Sequence, residues 1–391
     1  MEGWREATGW FREFPSSGGV ARSDRVVWGE LPIVHQPFAR WNCMVELHFR
    51  GKRLPRGKFD KRRSERDIEM PVTADQAHWF QQSFHQMADN VAVAIRGKDD
   101  VIALALTCLL SEGHLLIEDN PGTGKTVLAK AIANTVQGSH SRIQFTPDLL
   151  PSDLTGVNIY DQRTRQFEFH KGPVFATVVL ADEVNRASPK TQAALLEVME
   201  EGTVTVDGVK HEVGKPFMVV ATQNPIEQAG TYRLPEAQLD RFLMKVSVGY
   251  PDHAVAVELL AQAANRDRAA AVTPAISAQA VSQMSQFANE TFIDPAILAY
   301  VSQLATASRS HPHVRLGISM RGSLSFVRAA KTWAVAHGRE YVTPDDIKEL
   351  ALPIMGHRLI LSAEAQFAGA TVEDVVVSLL TDVPAPQLRG A

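Results

Sequence analysis

The chain has 391 residues, enough for two or three domains with a sizeable apolar core. Its formal net charge of −4 gives no global sign of a nucleic-acid partner, and its charged and apolar fractions are ordinary for a soluble protein. The two cysteines, Cys43 and Cys108, form no metal-ligand pattern, which fits a reducing compartment. No apolar run approaches the ~20 residues of a membrane helix, and the N-terminal stretch MEGWREATGWFREF lacks the core of a secretory signal. We therefore expect a cytoplasmic protein.

Residues 1–70 differ from the rest of the chain in charge. They hold 14 Lys and Arg against 10 Asp and Glu, a net charge of +4 that leaves −8 for residues 71–391. The stretch 51–66, GKRLPRGKFDKRRSER, is basic and has no apolar periodicity. One interpretation is an arm that binds an anionic partner, either a polynucleotide or a membrane surface. We favour the other, a disordered leader or an extension from a wrongly chosen start codon.

Ordered structure is predicted to begin at Thr73, which can form a capping box with Gln76. Gly97 ends the helix that follows, and a second apolar helix is predicted over residues 101–110. Apolar residues at helical spacing predict one buried face on the first helix: Phe80, Phe84, Met87, Val91 and Ile95.

Between His114 and Tyr250 predicted strands alternate with predicted helices, which indicates a parallel α/β sheet. The strands are 114–119, 142–146, 177–182 and 217–222, and the helices are 125–137, 189–201 and 235–243. Hairpins are predicted over 157–170 and around Asp207-Gly208. After residue 250 helices dominate, and we interpret them as a separate domain: 252–267, 277–290, 294–309, 320–337, 344–355 and 371–380.

The stretch HLLIEDNPGTGKTVLAKAIA, which starts at His114, predicts a buried strand, a glycine-rich turn and a helix. Such a turn binds phosphate, because glycine lets backbone N–H groups approach the oxygens and the helix dipole favours an anion. Lys125 would contact the β- and γ-phosphates, and Thr126 would bind Mg²⁺. The strict pattern has glycine where this chain has Asp119. The predicted binding residues are Asn120, Pro121, Gly122, Thr123, Gly124, Lys125 and Thr126.

Polar side chains end two later strands of the predicted sheet. Asp182 and Glu183 follow VVLA, where a carboxylate could join the Mg²⁺ shell and its neighbour could orient the attacking water. The alternative is a pair of solvated acids at a loop start. Asn224 follows VVATQ and could contact both the water and the γ-phosphate, or simply form a turn before Pro225. Lying about 55 residues after the phosphate loop, the acids make hydrolysis of a nucleoside triphosphate the favoured interpretation.

Three arginines are candidates for stabilising phosphate charge. Arg241 lies on a predicted short helix in LPEAQLDRF, and Arg321 opens the helix 320–337. Arg186, just after the acidic pair, is a weaker candidate for the same role. Each could instead pair with a neighbouring acid or lie on the surface, and residue pattern alone does not say whether Arg241 faces its own site or that of a neighbour.

These motifs closely resemble the MoxR branch of AAA+ ATPases, over roughly residues 71–365. The matching text includes EDNPGTGKTVLAKAIA, DLTG and VVATQNPIEQAGTYRLPEAQLDRF, and DEVNRASPKTQAALLE is the most distinctive segment. The resemblance implies an αβα sandwich with a five-stranded parallel core sheet and a C-terminal helical lid. It divides the chain into an N-terminal extension (1–70), an ATPase core (71–250) and a lid with tail (251–391).

The resemblance also implies roles for single residues. Asp119 is what the family has in place of the first loop glycine. Arg241 would be the finger donated to a neighbour's ATP. Arg321 would be the lid sensor, although Met320 stands where relatives often have proline. Gly97 would lie near the adenine.

At the level of assembly, the resemblance implies a ring, usually a hexamer, that uses ATP and Mg²⁺. Such proteins act like chaperones on partners that often carry a von Willebrand factor A domain. Residues 147–173 and 203–216 would face the ring pore. Three alternatives stay open: a metal-chelatase-type motor subunit, a nucleic-acid-associated ring ATPase, and a binding scaffold that cycles little and gates assembly by its nucleotide state. The net charge of −8 on residues 71–391 makes nucleic acid the less expected partner.

Overall fold

The computed structural model describes residues 72–120, 122–224, 231–261 and 268–387. The predicted N-terminal extension lies outside these ranges, so that prediction stays untested. Within them, no helix combines the length and the apolar character needed to cross a lipid bilayer.

The described residues form helices and strands in close agreement with the predicted alternation. The strands are β1 (Leu115–Glu118), β2 (His140–Gln144), β3 (Gly156–Asp161), β4 (Gln166–Lys171), β5 (Val178–Asp182), β6 (Thr203–Val206), β7 (Val209–Glu212), β8 (Met218–Gln223), β9 (Met244–Val246), β10 (Val314–Leu316) and β11 (Ile360–Leu361). The α-helices are α1 (Ala74–Ala92), α2 (Asp99–Leu110), α3 (Lys125–Thr135), α4 (Pro151–Thr155), α5 (Pro189–Glu201), α6 (Glu236–Leu239), α7 (His253–Ala261), α8 (Ala278–Glu290), α9 (Pro295–Ser310), α10 (Met320–Ala336), α11 (Pro344–Met355), α12 (Ala363–Phe367) and α13 (Val372–Asp382).

Five strands form the central sheet in the order β2-β5-β8-β1-β9, and all are parallel. The five-stranded parallel core implied by the resemblance is therefore confirmed. In the register, Leu115 of β1 lies opposite Val220 of β8 on one side and Met244 of β9 on the other. Strands β5 and β8 are buried over almost their whole length, as expected for central strands covered on both faces.

The predicted capping box and both predicted hairpins are confirmed. Thr73 accepts a hydrogen bond from the N–H of Gln76 and donates its own N–H to the Gln76 side chain. Strands β3 and β4 pair antiparallel, as do β6 and β7 around Asp207-Gly208. Both turn residues have positive φ, the conformation that makes this dipeptide a hairpin former.

The predicted helix over residues 235–243 is wrong in extent. Helix α6 ends at Leu239, and β9 begins at Met244, so Arg241 lies in a turn and not on a helix. Strand β9 has only three residues and pairs with β1 alone. Its sequence, Met-Lys-Val, is too short to give a local sign of a new strand.

The helical region after residue 250 confirms five of the six predicted helices to within two residues. The sixth, predicted over 252–267, is α7, and residues 262–267 lie outside the described ranges. Side chains of α1, α2 and the sheet share one apolar core with helices α8 to α11. The boundary between residues 250 and 251 stays a prediction, because residues on both sides contribute to that core.

A neutral histidine joins three elements of the core. His114, just before β1, is buried, and its Nδ1 accepts from the N–H of Val219 in β8 at 3.0 Å. Its Nε2–H donates to the carbonyl of Met199 in α5 at 2.9 Å. Burial lowers the pKa of His114 to about 4, although the Met199 hydrogen bond opposes the shift. The ring therefore stays neutral at pH values where an exposed histidine is charged.

We expect acid to destabilise the fold through His114. The unfolded chain takes up a proton near pH 6.5 and the native chain only near pH 4, so the free energy of unfolding falls across that interval, by roughly 3 kcal/mol. Urea unfolding of nucleotide-free protein between pH 7.5 and 4.5 measures this. His114→Gln is expected to flatten the dependence, and His85→Gln, at an exposed position on α1, serves as the control. A slope unchanged by His114→Gln would contradict the assignment.

Candidate functional site

The predicted phosphate loop connects β1 to α3 at the carboxyl edge of the sheet. Gly122 and Gly124 have φ angles of +84° and +94°, in the left-handed region that glycine adopts without strain. A Cβ on Gly122 would meet no atom within 4 Å, so that side of the turn is open. Gly124 is the N-cap of α3 and supplies no side-chain cap, which suits the first N–H groups of that helix to binding an anion. Pro121 lies outside the described residues.

Lys125 is folded back over its own loop. Its Nζ donates to the carbonyls of Asp119 at 3.0 Å and Asn120 at 3.1 Å. Thr126 is exposed in the first turn of α3, whereas Thr123 is buried and donates its hydroxyl to the Asn120 carbonyl at 3.4 Å. The loop thus holds the ammonium group of Lys125 close to the open turn. There a phosphate oxygen can replace one of the two carbonyls as the acceptor of its hydrogen bond.

Asp119, which stands in place of the first loop glycine, anchors the loop. It is buried, and its carboxylate accepts from the hydroxyl of Ser247 at 2.7 Å. It also accepts from the backbone N–H groups of Val248 at 2.5 Å and Gly249 at 3.2 Å. These residues directly follow β9 and lead into α7. A glycine has no side chain to make these bonds, so the departure from the strict pattern has a structural role.

The acidic pair ends β5 beside the end of β8. One oxygen of Asp182 accepts from the hydroxyl of Thr222 at 2.6 Å, and the other accepts from Arg142 at 2.6 Å. The Thr222 oxygen in turn accepts the N–H of Glu183 at 2.9 Å. The side chain of Thr222 therefore fixes both acids relative to the neighbouring strand.

Glu183 has a left-handed backbone, with φ of +58°, which turns the chain sharply after β5. Its carboxylate accepts from the Gln144 side chain at 2.7 Å and pairs with Arg186 at 3.1 Å. Arg186, a weak candidate for phosphate binding, thus contacts the predicted water-orienting acid. A non-glycine residue in this conformation is uncommon and is found at functional sites.

The parallel register brings these groups to one edge of the sheet. Strand β8 lies between β1 and β5, and neighbouring strands are about 5 Å apart. The phosphate loop follows β1, the buried Asn224 follows β8, and the acidic pair ends β5. Asn224 therefore lies between Lys125 and Glu183 in the order of the strands, the position at which a γ-phosphate and a water would meet.

The segment after α1 approaches the loop from another side. A Cβ on Gly124 would lie 3.4 Å from Cδ1 of Ile95. Gly97, with φ of +69°, faces Val255 of α7, where a Cβ would approach to 3.0 Å. Arg96 pairs with Glu258 of the same helix at 2.9 Å. Residues 95–97 thus lie between the loop and α7, the region predicted to accept the base.

The two arginines predicted to act on phosphate lie at the opposite edge of the sheet. Arg241 precedes β9, whose first residue pairs with the first residue of β1. It pairs with one oxygen of Glu200 at 3.1 Å, and Arg321 pairs with the other oxygen. They line a cleft of about 740 Å³ together with His114 and Arg328. Strand β1, which spans about 13 Å, separates the edge that carries Arg241 from the phosphate loop of the same chain.

The donor set at the carboxyl edge fits magnesium held together with a phosphate. Among the described residues, no group of three or more His, Cys, Asp and Glu side chains could hold a metal ion. Thr126 and Asp182 supply hard oxygen donors, and Mg²⁺ is commonly bound through one or two protein ligands plus phosphate oxygens and water.

Comparison with known proteins agrees with this geometry. The ATPase family associated with various cellular activities (AAA) matches residues 114–244, and the AAA lid domain matches residues 306–379. The chaperone MoxR1 of Mycobacterium tuberculosis is 40% identical over 310 residues, covering 76% of this chain and 80% of that protein. This chain belongs to the MoxR family of AAA ATPases.

Two further similarities extend over most of the chain. The uncharacterised protein YeaC of Bacillus subtilis is 43% identical over 316 residues, covering 80% of this chain and 99% of YeaC. A crystal structure of a provisionally named ATPase from Cytophaga hutchinsonii matches with a TM-score of 0.75 and 36% identity, covering 80% of this chain and 98% of that one. The predicted family and fold are confirmed.

Several residues that shape this MoxR-family site were missed in the sequence. Thr222 and Arg142 hold Asp182, and Glu200 holds the arginine pair. Thr222 stands two residues before Asn224 and directly after the apolar run 218–221 of β8, a signal that could have indicated it. Arg142 lies 40 residues from Asp182, Glu200 lies 41 residues from Arg241 and 121 from Arg321, and no local pattern marks either residue.

We expect Asp119→Gly, which restores the strict loop pattern, to weaken ATP binding roughly tenfold or more. The change removes the acceptor for two backbone N–H groups, and each unsatisfied buried group costs about 1–3 kcal/mol. Calorimetric titration with ATP measures the effect. The matched control is Glu118→Gln, which breaks the half-exposed pair with Lys245 one residue earlier and is expected to be neutral. Unchanged affinity in Asp119→Gly would refute the anchoring role.

Proposed function

We propose that this MoxR-family protein hydrolyses ATP with Mg²⁺ at sites shared between neighbouring copies in a ring, most simply a hexamer. The observation that carries the proposal is the division of charged groups between two edges of one sheet. Phosphate-binding and acidic residues lie at the carboxyl edge, and the arginine pair lies at the amino edge. One chain therefore offers two different half-sites, which a second copy can complete.

In the proposed mechanism the loop N–H groups and Lys125 bind the phosphates, and Thr126 and Asp182 would hold a magnesium ion, which would neutralise phosphate charge. Glu183 orients a water for in-line attack on the γ-phosphate, and Asn224 positions that water against the phosphate. The contacts of Glu183 with Gln144 and Arg186 support this role, because they hold the carboxylate at a fixed place beside β5.

Arg241 and Arg321 are proposed to act on the nucleotide of the adjoining copy. Their shared contact with Glu200 supports this, since Glu200 balances their charge in the absence of a neighbouring phosphate. A head-to-tail contact that joins the amino edge of one copy to the carboxyl edge of the next is heterologous, and such contacts form a ring when the rotation between copies closes.

The work performed is proposed to be chaperone-like remodelling or maturation of a partner protein, in the cytoplasm. The name of MoxR1, a chaperone, supports this class. A partner with a von Willebrand factor A domain is the proposed client, as the family resemblance implies. The formal net charge of −4 is consistent with a protein partner and not with a strongly basic nucleic-acid channel.

We expect Lys125→Ala to abolish tight ATP binding and Glu183→Gln to bind ATP but not hydrolyse it. Arg241→Ala alone should lose about 10³-fold or more of the turnover, because such arginines stabilise transition-state charge. Steady-state phosphate release and nucleotide titration check these outcomes. Equal turnover by Glu183→Gln and wild type would remove the role assigned to Glu183.

We further expect two inactive variants to complement each other in a mixture. Glu183→Gln subunits still carry Arg241, and Arg241→Ala subunits still carry a complete acidic pair, so their mixture should hydrolyse ATP. Phosphate release from mixed and separate variants at equal total concentration measures this. The control is a mixture of Glu183→Gln with Lys125→Ala/Arg241→Ala, which still contains Arg241 but has no subunit able both to bind and to hydrolyse ATP. Absence of turnover in the first mixture would contradict the shared site.

A further inference from the structure

Residues 240–243 form the turn that carries Arg241. Two buried side chains of the helical region hold this turn through hydrogen bonds. His357 and Arg358 follow α11 and are both buried. The Nε2–H of His357 donates to the carbonyl of Phe242 at 3.0 Å. Burial, with Arg358 beside the ring, holds the pKa of His357 well below its usual value, so the ring is a neutral donor. The turn is thus bound to a part of the chain more than 110 residues away.

Arg358 makes the larger share of these contacts. Its Nε donates to a carboxylate oxygen of Asp240 at 2.7 Å. Its Nη2 donates to the carbonyls of Phe242 at 2.6 Å and Asp240 at 3.3 Å. Its Nη1 donates to the carbonyls of Leu243 at 3.1 Å and Ile354. Each of the five N–H groups of this guanidinium therefore has an acceptor, and three backbone carbonyls of the turn are fixed by one side chain.

Asp240 extends the connection to the helix that carries Arg321. Its second oxygen accepts from the hydroxyl of Ser319 at 2.7 Å. Ser319 is the N-cap of α10, and its side chain accepts from the N–H of Gly322 at 3.0 Å. Arg321 is the second residue of that helix. A continuous set of hydrogen bonds thus runs from Arg358 through Asp240 to the first turn of α10.

We propose that Arg358 is a positioning residue that presents Arg241 and Arg321 as one unit to the nucleotide of a second copy. It fixes the turn at 240–243 against the start of α10, so that both guanidinium groups meet at the carboxylate of Glu200. Arg358 is enclosed by its own chain and touches no group of the proposed active centre. The inference rests on the proposed function, because it concerns how that shared site is assembled.

The chemistry requires arginine at this position. A lysine keeps the charge but carries its three N–H groups on one atom, so it cannot span Asp240, Leu243 and the far side of the turn. The Arg358 side chain is 2% exposed and that of Asp240 is 18% exposed, which makes the pair sensitive to removal of either partner. Arg358→Lys therefore loosens the turn while keeping the buried positive charge.

The test uses complementation between full-length variants and places the same substitution on either side of the shared site. In the first arm, Arg358→Lys is added to the Glu183→Gln subunit, which supplies Arg241 but cannot hydrolyse ATP. In the second arm, it is added to the Arg241→Ala subunit, which keeps the acidic pair but supplies no finger. We expect turnover to fall at least tenfold in the first arm and to change less than twofold in the second.

This difference in turnover between the two arms distinguishes a positioning role from a general folding defect, because a folding defect lowers turnover equally in both arms. Equal losses, or full turnover in the first arm, would overturn the proposal. If Glu183→Gln and Arg241→Ala subunits do not complement each other before Arg358 is changed, the shared site itself fails and this inference fails with it. ATP affinity of each variant, measured by titration, is expected to be unchanged.

A matched control and a milder variant complete the design. Arg315 also reaches from the helical region to the 236–241 segment, where it pairs with Glu236 at 3.3 Å, but this pair is exposed. Arg315→Lys is expected to leave turnover in both arms unchanged. If Arg358→Lys does not fold, Asp240→Asn in the Glu183→Gln subunit tests the same connection, since it removes the charge with almost no change of shape. Full complementation by that variant would equally overturn the proposal.

Discussion

The parallel alignment of β1, β8 and β5 is the constraint on which the rest of the structure depends. Because all three strands run the same way, whatever follows them in sequence lies at one edge of the sheet. The loop after β1, Asn224 after β8 and the acids that end β5 are therefore neighbours although they are separated by up to 100 residues. The same alignment puts residues that precede the strands, His114 and Arg241, at the other edge.

Strand β8 positions Asp182 and Glu183 through a side chain of its own. It is hydrogen-bonded on both sides, and Thr222 is its only fully buried hydroxyl group among the described residues of that strand. The Thr222 hydroxyl donates to the Asp182 carboxylate and accepts from the backbone N–H of Glu183. It thereby fixes the positions of both acids relative to β8. Side chains so fixed need no rearrangement when charge develops nearby, which is how electrostatic preorganisation works.

Much of this arrangement could be predicted from the sequence, because the motifs that indicate it are local. A glycine-rich turn, a strand that ends in acids and a capping box each occupy a few adjacent residues, and apolar periodicity identified most of the helices. The remainder depends on contacts across long stretches of chain. Asp119 finds its partners 128 to 130 residues away, and Arg358 lies more than 110 residues from the turn that it holds. The short strand β9 was missed because its three residues, Met-Lys-Val, are too few to establish a period of two.

Strand β9 connects the two halves of the site within one chain. Residues directly after it are held by Asp119 of the phosphate loop, and residues directly before it are held by Arg358 of the helical region. Only the three residues of β9, about 10 Å of extended chain, separate these two attachments. Since β9 is an edge strand paired with β1 alone, a shift along its axis would act both on the phosphate loop and on the turn that carries Arg241. Strand β9 is therefore the physical link between the two edges of the sheet that the proposed function assigns to different half-sites.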